Sequence, residues 1–184
     1  MLIDRERSAL LVIDMQERLL PAIHDGASVT SSVAWLVRLA QRLGVPVAAT
    51  EHYPEGLGAT TDSLRDLIPA DAVASKRHFS SVAAGCLAGL PGTDRPQLVL
   101  AGCETHVCLM QTALDLQAAG RHVFVVGDAV GSRRPADRDC ALARMRQDGV
   151  RIVSREMVAF EWLREGGTAL FRDINRDFLR DAGA

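Results

Sequence analysis

Short, continuous apolar segments alternate along the chain with segments in which apolar residues recur at helical spacing. The continuous segments predict buried strands at 8–13, 45–50, 97–102, 122–127 and 151–154. Helical spacing predicts helices at 29–43, 105–119 and 135–147, and on either side of Gly166-Gly167 within 155–180. The segment 52–62, rich in Gly, Pro and Thr, is predicted to be a loop.

This alternation of strands and helices predicts a mainly parallel sheet with helices on both faces. We expect an α/β three-layer sandwich around a sheet of about six strands. The 184 residues contain no repeat, low-complexity tract or linker, so one domain spanning 1–184 is expected.

Chemically active side chains are expected just after the strands, because open parallel sheets bind ligands at the carboxyl ends of their strands. Asp14 and Gln16 follow the first strand, and 51–54 follow the second. The segment 103–108 follows the third strand and leads directly into a predicted helix, and Asp128 follows the fourth.

Cys108 lies in the opening turn of that predicted helix. Unpaired N–H groups at a helix N-terminus favour a thiolate and can stabilise an oxyanion. Asp14 ends a buried strand, where an unpaired carboxylate is costly. A cation would relieve that cost, and Lys76 is the only lysine in the chain.

Composition narrows the functional classes. With 21 basic and 23 acidic residues, the chain carries a formal net charge of −2, which argues against a nucleic-acid-binding surface. The four cysteines form no CxxC pair and no zinc-ligand spacing, which predicts free thiols in a reducing compartment. Charged residues at 4–7 interrupt the N-terminus, and no apolar stretch approaches the roughly 20 residues of a membrane span. We therefore expect a soluble, cytoplasmic protein with no membrane partner.

Several motifs, taken in order, resemble those of the isochorismatase-like hydrolases over nearly the whole chain. The matching stretches are 9–16 (ALLVIDMQ), 76–80 (KRHFS), 102–109 (GCETHVCL), 111–114 (QTAL) and 128–133 (DAVGSR). The stretch 51–58 (EHYPEGLG) resembles, within that superfamily, the isochorismatase domain-containing proteins.

The resemblance implies roles for individual residues. Cys108 would be the nucleophile, Asp14 the general base and acid, and Lys76 their charge partner. The non-proline cis peptide of the family matches the Cys103–Glu104 bond, and the N–H groups of Glu104 and Cys108 would hold the oxyanion. The implied reaction is hydrolysis of a small-molecule C–N bond through a thioester, without a cofactor, in a protein that forms homo-oligomers.

Two branches of the superfamily fit less well. Isochorismatases proper lack the nucleophilic cysteine. This chain has Cys108 and therefore resembles the amidase-type branch instead. Nicotinamidases carry an Asp…His…His metal site near the second strand, where this chain has only His52. No metal site is therefore predicted.

Other positions have two interpretations. Gln16 is expected to hydrogen-bond within the site, and His52, Tyr53 and Phe79 either line a substrate pocket or pack as ordinary loop residues. His106 is expected to be a structural or subunit-contact residue.

The remaining cysteines and the function as a whole also have alternatives. Cys86 and Cys140 are expected to be small buried residues, and Cys103 to be structural.

The chain could instead be a binding or scaffold protein that keeps the fold. Redox sensing through Cys103 and Cys108 is less favoured, because their spacing is not that of a resolving pair.

Overall fold

The structure is a computed structural model that describes residues 1–180. Its centre is a six-stranded, fully parallel sheet with strand order β3-β2-β1-β4-β5-β6. The strands are β1 (Ser8–Ile13), β2 (Val47–His52), β3 (Val73–Lys76), β4 (Gln97–Cys103), β5 (His122–Gly131) and β6 (Arg151–Val153). The predicted α/β sandwich with a parallel sheet is confirmed.

Helices cover both faces of this sheet. They are α1 (Gly26–Arg42), α2 (Pro54–Leu57), α3 (Asp62–Arg65), α4 (Met110–Ala118), α5 (Pro135–Gln147), α6 (Arg155–Leu163) and α7 (Ala169–Ile174). Short 3₁₀ turns occupy Leu20–Ala22 and Ala70–Ala72, and π-helical turns occupy Thr105–Leu109 and Asn175–Leu179.

Residues of the central strands point alternately into two apolar layers, because successive side chains of a strand face opposite sides of the sheet. Leu10 and Val12 of β1 pack in one layer with α1, α6 and α7, whereas Leu11 and Ile13 pack in the other with α4 and α5. Every residue of β1 is buried, which explains why its sequence shows no polar alternation.

The direction in which the sheet is built switches between the neighbouring strands β1 and β4. From β1 the chain builds outward through β2 and β3, and from β4 it builds in the other direction through β5 and β6. In open α/β sheets such a switch in direction leaves a crevice at the carboxyl ends of the two strands. Asp14 follows β1 and the segment 104–108 follows β4, so both lie at the carboxyl ends of the strands that flank this switch.

Some elements differ from the prediction. The edge strand β3 was not predicted, because it has only four residues and little apolar pattern. The predicted loop 52–62 includes the one-turn helix α2. Strand β5 continues to Gly131, so Asp128 lies inside it and pairs with Arg155 at 3.4 Å, away from Asp14.

No helix within residues 1–180 has the length and apolar character that a membrane crossing requires. Among the aromatic residues near the C-terminus, Trp162 is buried in the core, whereas Phe160 is exposed because it lies on the outer face of α6.

Candidate active site

Asp14 is held in an unusual backbone conformation directly after β1. Its φ of 50° lies in the left-handed region, which a non-glycine residue adopts at some energetic cost. The Asp14 N–H donates to the carbonyl of Thr50 at 3.0 Å, and the Thr50 hydroxyl donates to Asp14 Oδ1 at 2.8 Å. Strand β2 therefore fixes both the backbone and the carboxylate of Asp14.

Lys76 supplies the cation that this buried carboxylate requires. It is the last residue of β3, and its Nζ donates to Asp14 Oδ2 at 2.7 Å. Both side chains are 0% exposed. Removing either partner would leave a buried charge uncompensated, at a cost of about 3–5 kcal/mol.

Cys108 lies against this ion pair. It belongs to the π-helical turn Thr105–Leu109, which precedes α4, and it is 5% exposed. The charges of Asp14 and Lys76 both act on the pKa of its thiol. The structure thus brings together the three side chains that the sequence singled out.

The pKa of the Cys108 thiol is raised rather than lowered, contrary to the expectation from its place at the start of the predicted helix. Burial raises the pKa of Cys108 above its ordinary value, and the negative charge of Asp14 raises it further. Lys76 acts in the opposite direction without reversing the shift. Desolvation therefore outweighs the positive charge of Lys76 at the sulfur.

The end of β4 approaches β1 so closely that only glycine fits at position 102. A Cβ on Gly102 would lie 2.1 Å from the carbonyl oxygen of Ile13, and the φ of Gly102 is 121°. The pairing of β4 with β5 is irregular between Leu100 and Gly102. This close approach brings the start of the Thr105–Leu109 turn next to Asp14.

The Cys103–Glu104 peptide bond is trans, so the expected cis bond is wrong for this chain. The chain leaves β4 in an extended conformation, with φ −69° and ψ 116° at Glu104, and enters the turn without the energetic cost of a non-proline cis bond.

Gln16, two residues after Asp14, links the end of β2 to the segment that contains Gly58. Its amide nitrogen donates to the carbonyls of His52 and Gly58 at 3.0 and 2.6 Å, and its oxygen accepts from the His52 N–H at 2.8 Å. Both of its amide hydrogens are used by the backbone, so Gln16 holds the loops in place.

His52 and Phe79 form a wall near the ion pair. Their rings are tilted at 35° with centroids 5.2 Å apart. Burial and the charge of Lys76 lower the pKa of His52, so its imidazole is neutral near pH 7. Its Nδ1 is buried and has no hydrogen-bond partner among residues 1–180.

Tyr53 and Phe79 are exposed at the outer side of the site. Their exposed fractions are 43% and 48%, and the guanidinium of Arg77 lies 4.8 Å from the Tyr53 ring centroid. A cavity of about 390 Å³ beside them is lined by residues that include Glu55, Lys76 and His78.

The other cysteines are distributed differently from the expectation. Cys103 is fully buried, as expected, but Cys86 is half-buried and Cys140 is exposed, because it lies on the outer face of α5. All four thiols are free. Within the described part of the chain, no three His, Cys, Asp or Glu side chains are grouped as a metal site requires.

The sequence interpretation missed Thr50 and the side-chain contacts of Glu104. Thr50 is a polar residue at the buried carboxyl end of a strand, and that position could have indicated its contact with Asp14. The side chain of Glu104 binds Arg133, which is 29 residues away, and no local pattern indicates such a contact.

Known protein families include one whose model matches most of this chain. The model of the isochorismatase domain matches residues 8–157. The chain belongs to the isochorismatase family. It is 39% identical over 170 residues to isochorismatase domain-containing protein 1 of Danio rerio, covering 91% of this chain and 59% of that protein. It is 38% identical over 174 residues to isochorismatase domain-containing protein 2A of Mus musculus, covering 93% of this chain and 82% of that protein.

Solved structures of the family have the same fold. The MAR1 ribonuclease of Caenorhabditis elegans superposes with a TM-score of 0.87 at 30% identity, covering 100% of this chain and 95% of that one. YcaC of Escherichia coli is described as an octameric hydrolase of unknown specificity. It superposes with a TM-score of 0.84 at 26% identity, covering 98% of this chain and 92% of that one. The chain spans less than two thirds of the zebrafish relative, so its own activity has to be inferred from its site.

Proposed function

We propose that this protein is a cysteine-dependent hydrolase that cleaves a C–N, amide-like bond of a small molecule through a thioester on Cys108. The observation that carries the proposal is the buried Asp14–Lys76 ion pair, whose two charged groups both act on the Cys108 thiol. A carboxylate beside a protonated thiol is the arrangement that general-base activation of a nucleophile requires. The family supports hydrolysis as the type of reaction.

In the first half of the reaction, Asp14 accepts the thiol proton as the sulfur bonds to the substrate carbonyl carbon. The positive charge of Lys76 stabilises the sulfur while it gains negative charge. The C–N bond then breaks, and Asp14 returns the proton to the leaving nitrogen, which departs as an amine. Cys108 is left as a thioester.

In the second half, Asp14 accepts a proton from water as the water oxygen attacks the thioester carbonyl. The C–S bond breaks, the acid is released, and the proton returns to the sulfur of Cys108. Asp14 and Lys76 thereby regain their resting charges, so the cycle needs no cofactor.

The backbone N–H groups of Glu104 and Cys108 are the proposed donors to the oxyanion. Glu104 directly precedes the Thr105–Leu109 turn and Cys108 lies within it, so both N–H groups belong to the segment that carries the proposed nucleophile. A donor that is already oriented stabilises developing charge without reorganising during the reaction.

The substrate is proposed to contact His52, Tyr53 and Phe79, with Gln16 holding the end of β2 that carries His52. The neutral imidazole of His52 offers a hydrogen-bonding nitrogen without charge. Such a wall favours an uncharged polar molecule over an anion. The near balance of 21 basic and 23 acidic residues also favours a small molecule over a nucleic acid, although one structural relative is described as a ribonuclease.

A homo-oligomer in the cytoplasm is the proposed state of the protein. The octameric state of YcaC supports oligomerisation. The free thiols support a reducing compartment.

The alternative is a binding or scaffold protein that keeps the fold without efficient turnover. The raised pKa of Cys108 favours this alternative, since a thiol that stays protonated is a weak nucleophile unless a base acts on it. The two proposals differ in whether any substrate is converted.

A panel of uncharged small amides, ureas and hydroxamates, assayed for amine or ammonia release, tests the proposed function. We expect at least one amide to be hydrolysed with a kcat in the usual enzymatic range of about 1 s⁻¹ or more. Matched anionic analogues are expected to be poorer substrates. Saturable binding of panel members without conversion would support the scaffold instead.

A further inference from the structure

Three consecutive residues at the start of the Thr105–Leu109 turn are linked to three consecutive residues at the end of β5. Thr105 Oγ1 donates to the carbonyl of Gly131 at 2.9 Å, and His106 Nδ1 lies 3.0 Å from Ser132 Oγ. Glu104 Oε1 accepts from both the N–H and the Nε of Arg133, each at 3.1 Å. These contacts attach the segment that carries Cys108 to a neighbouring strand.

The contact between Glu104 and Arg133 is the charged one of the three. The Glu104 side chain is 7% exposed, and its Oε2 has no hydrogen-bond partner among residues 1–180. His106 lies 3.5 Å from that oxygen and is charged only when protonated. The guanidinium of Arg133 is therefore the permanent positive charge that compensates this buried carboxylate.

We propose that Arg133 is a positioning residue: by holding the Glu104 side chain, it fixes the Glu104 N–H and the turn that places Cys108 against Asp14 and Lys76. The proposal rests on the proposed function of Cys108. Arg133 is not assigned a contact with the substrate. Its guanidinium reaches the reacting atoms only through Glu104.

Loss of this contact has two consequences that point in opposite directions. The turn becomes free to move from the ion pair, and a displacement of about 1 Å at a reacting centre can cost up to 10²-fold in rate. A loosened turn also lets water and small reagents reach the sulfur, and its pKa then falls because burial no longer raises it. Turnover should therefore decrease while alkylation of Cys108 increases.

The test compares Arg133→Gln with Arg133→Lys and with the neighbouring control Arg134→Gln. Arg134 has the same charge and is exposed, whereas the ion pairs of Glu104 involve Arg133 and His106. Alkylation of each cysteine by iodoacetamide at pH 8 is measured by peptide mass spectrometry, together with kcat and KM for a confirmed substrate. Cys103, which is fully buried beside the turn, reports general unfolding.

We expect Arg133→Gln to lower kcat by about 10-fold or more, to change KM by less than about 3-fold, and to speed Cys108 alkylation by about 3-fold or more. Cys103 should stay unmodified, Arg133→Lys should recover part of kcat, and Arg134→Gln should match the wild type.

Equal behaviour of Arg133→Gln and Arg134→Gln would overturn the proposal. A rise in KM with unchanged kcat would also overturn it, because that result assigns Arg133 to substrate binding. The alkylation measurement needs no turnover, so it tests the position of the turn even if Cys108 proves not to be the nucleophile.

Discussion

Cys108→Ala is expected to reduce turnover by about 10⁴-fold or more, because the substitution removes the atom that forms the proposed thioester. The variant should fold, since alanine occupies less space than cysteine and the Asp14–Lys76 ion pair does not include the sulfur. The measurement is kcat/KM on the best substrate of the panel, with circular dichroism and thermal unfolding to establish that the fold is kept.

Cys86→Ala is the matched control for this experiment. Cys86 is a half-buried free cysteine that also senses the charges of Lys76 and Asp14, but it lies outside the Thr105–Leu109 turn. Its substitution should change kcat/KM by less than about 2-fold. If folded Cys108→Ala retained more than a small fraction of wild-type turnover, the nucleophile would have to be another group.

Asp14→Asn is expected to reduce turnover by about 10²–10⁴-fold, the usual contribution of a general base. In the same variant the pKa of Cys108 should decrease. The carboxylate raises that pKa in the wild type, and after its removal the charge of Lys76 acts on the sulfur unopposed. If the Cys108 thiol ionised more readily in this variant but turnover were still lost, Asp14 would be needed to transfer protons and not to set the acidity of the thiol.

The pH dependence of Cys108 alkylation measures this shift. In the wild type the rate of Cys108 alkylation should rise with pH and reach half its maximum at a pH above that of an ordinary thiol. In Asp14→Asn this midpoint should move to lower pH. Asp14→Glu is the control, because it keeps the charge and changes only the reach. An unchanged or higher midpoint in Asp14→Asn would mean that the carboxylate does not act on the sulfur, and the proposed base would be lost.

Much of this fold could be predicted from the sequence, because strands buried on both faces are continuous apolar segments. Strand β1 was predicted at the residues it occupies, and α5 likewise. The edge strand β3 was missed, since four residues with little apolar pattern give no periodic signal. The missed strand is part of the candidate site, because Lys76 is the last residue of β3.

The participants of the candidate site could also be predicted, but their electrostatics could not. Position at strand ends and the motif resemblance singled out Asp14, Lys76 and Cys108. The raised pKa of Cys108 depends on how completely neighbouring atoms exclude water, which no sequence pattern encodes. The contact between Glu104 and Arg133 was equally hidden, because it joins segments that only the sheet brings together.

The most direct test of a covalent Cys108 intermediate is a partitioning experiment with hydroxylamine, using two amides that share an acyl group but have different leaving amines. If both pass through the same acyl-Cys108 thioester, hydroxylamine and water compete for one species, and the ratio of hydroxamate to acid must be identical for the two substrates. We expect equal ratios, with neither product formed by Cys108→Ala. A ratio that depends on the leaving amine would show that water attacks the amide directly, and it would contradict the proposed role of Cys108.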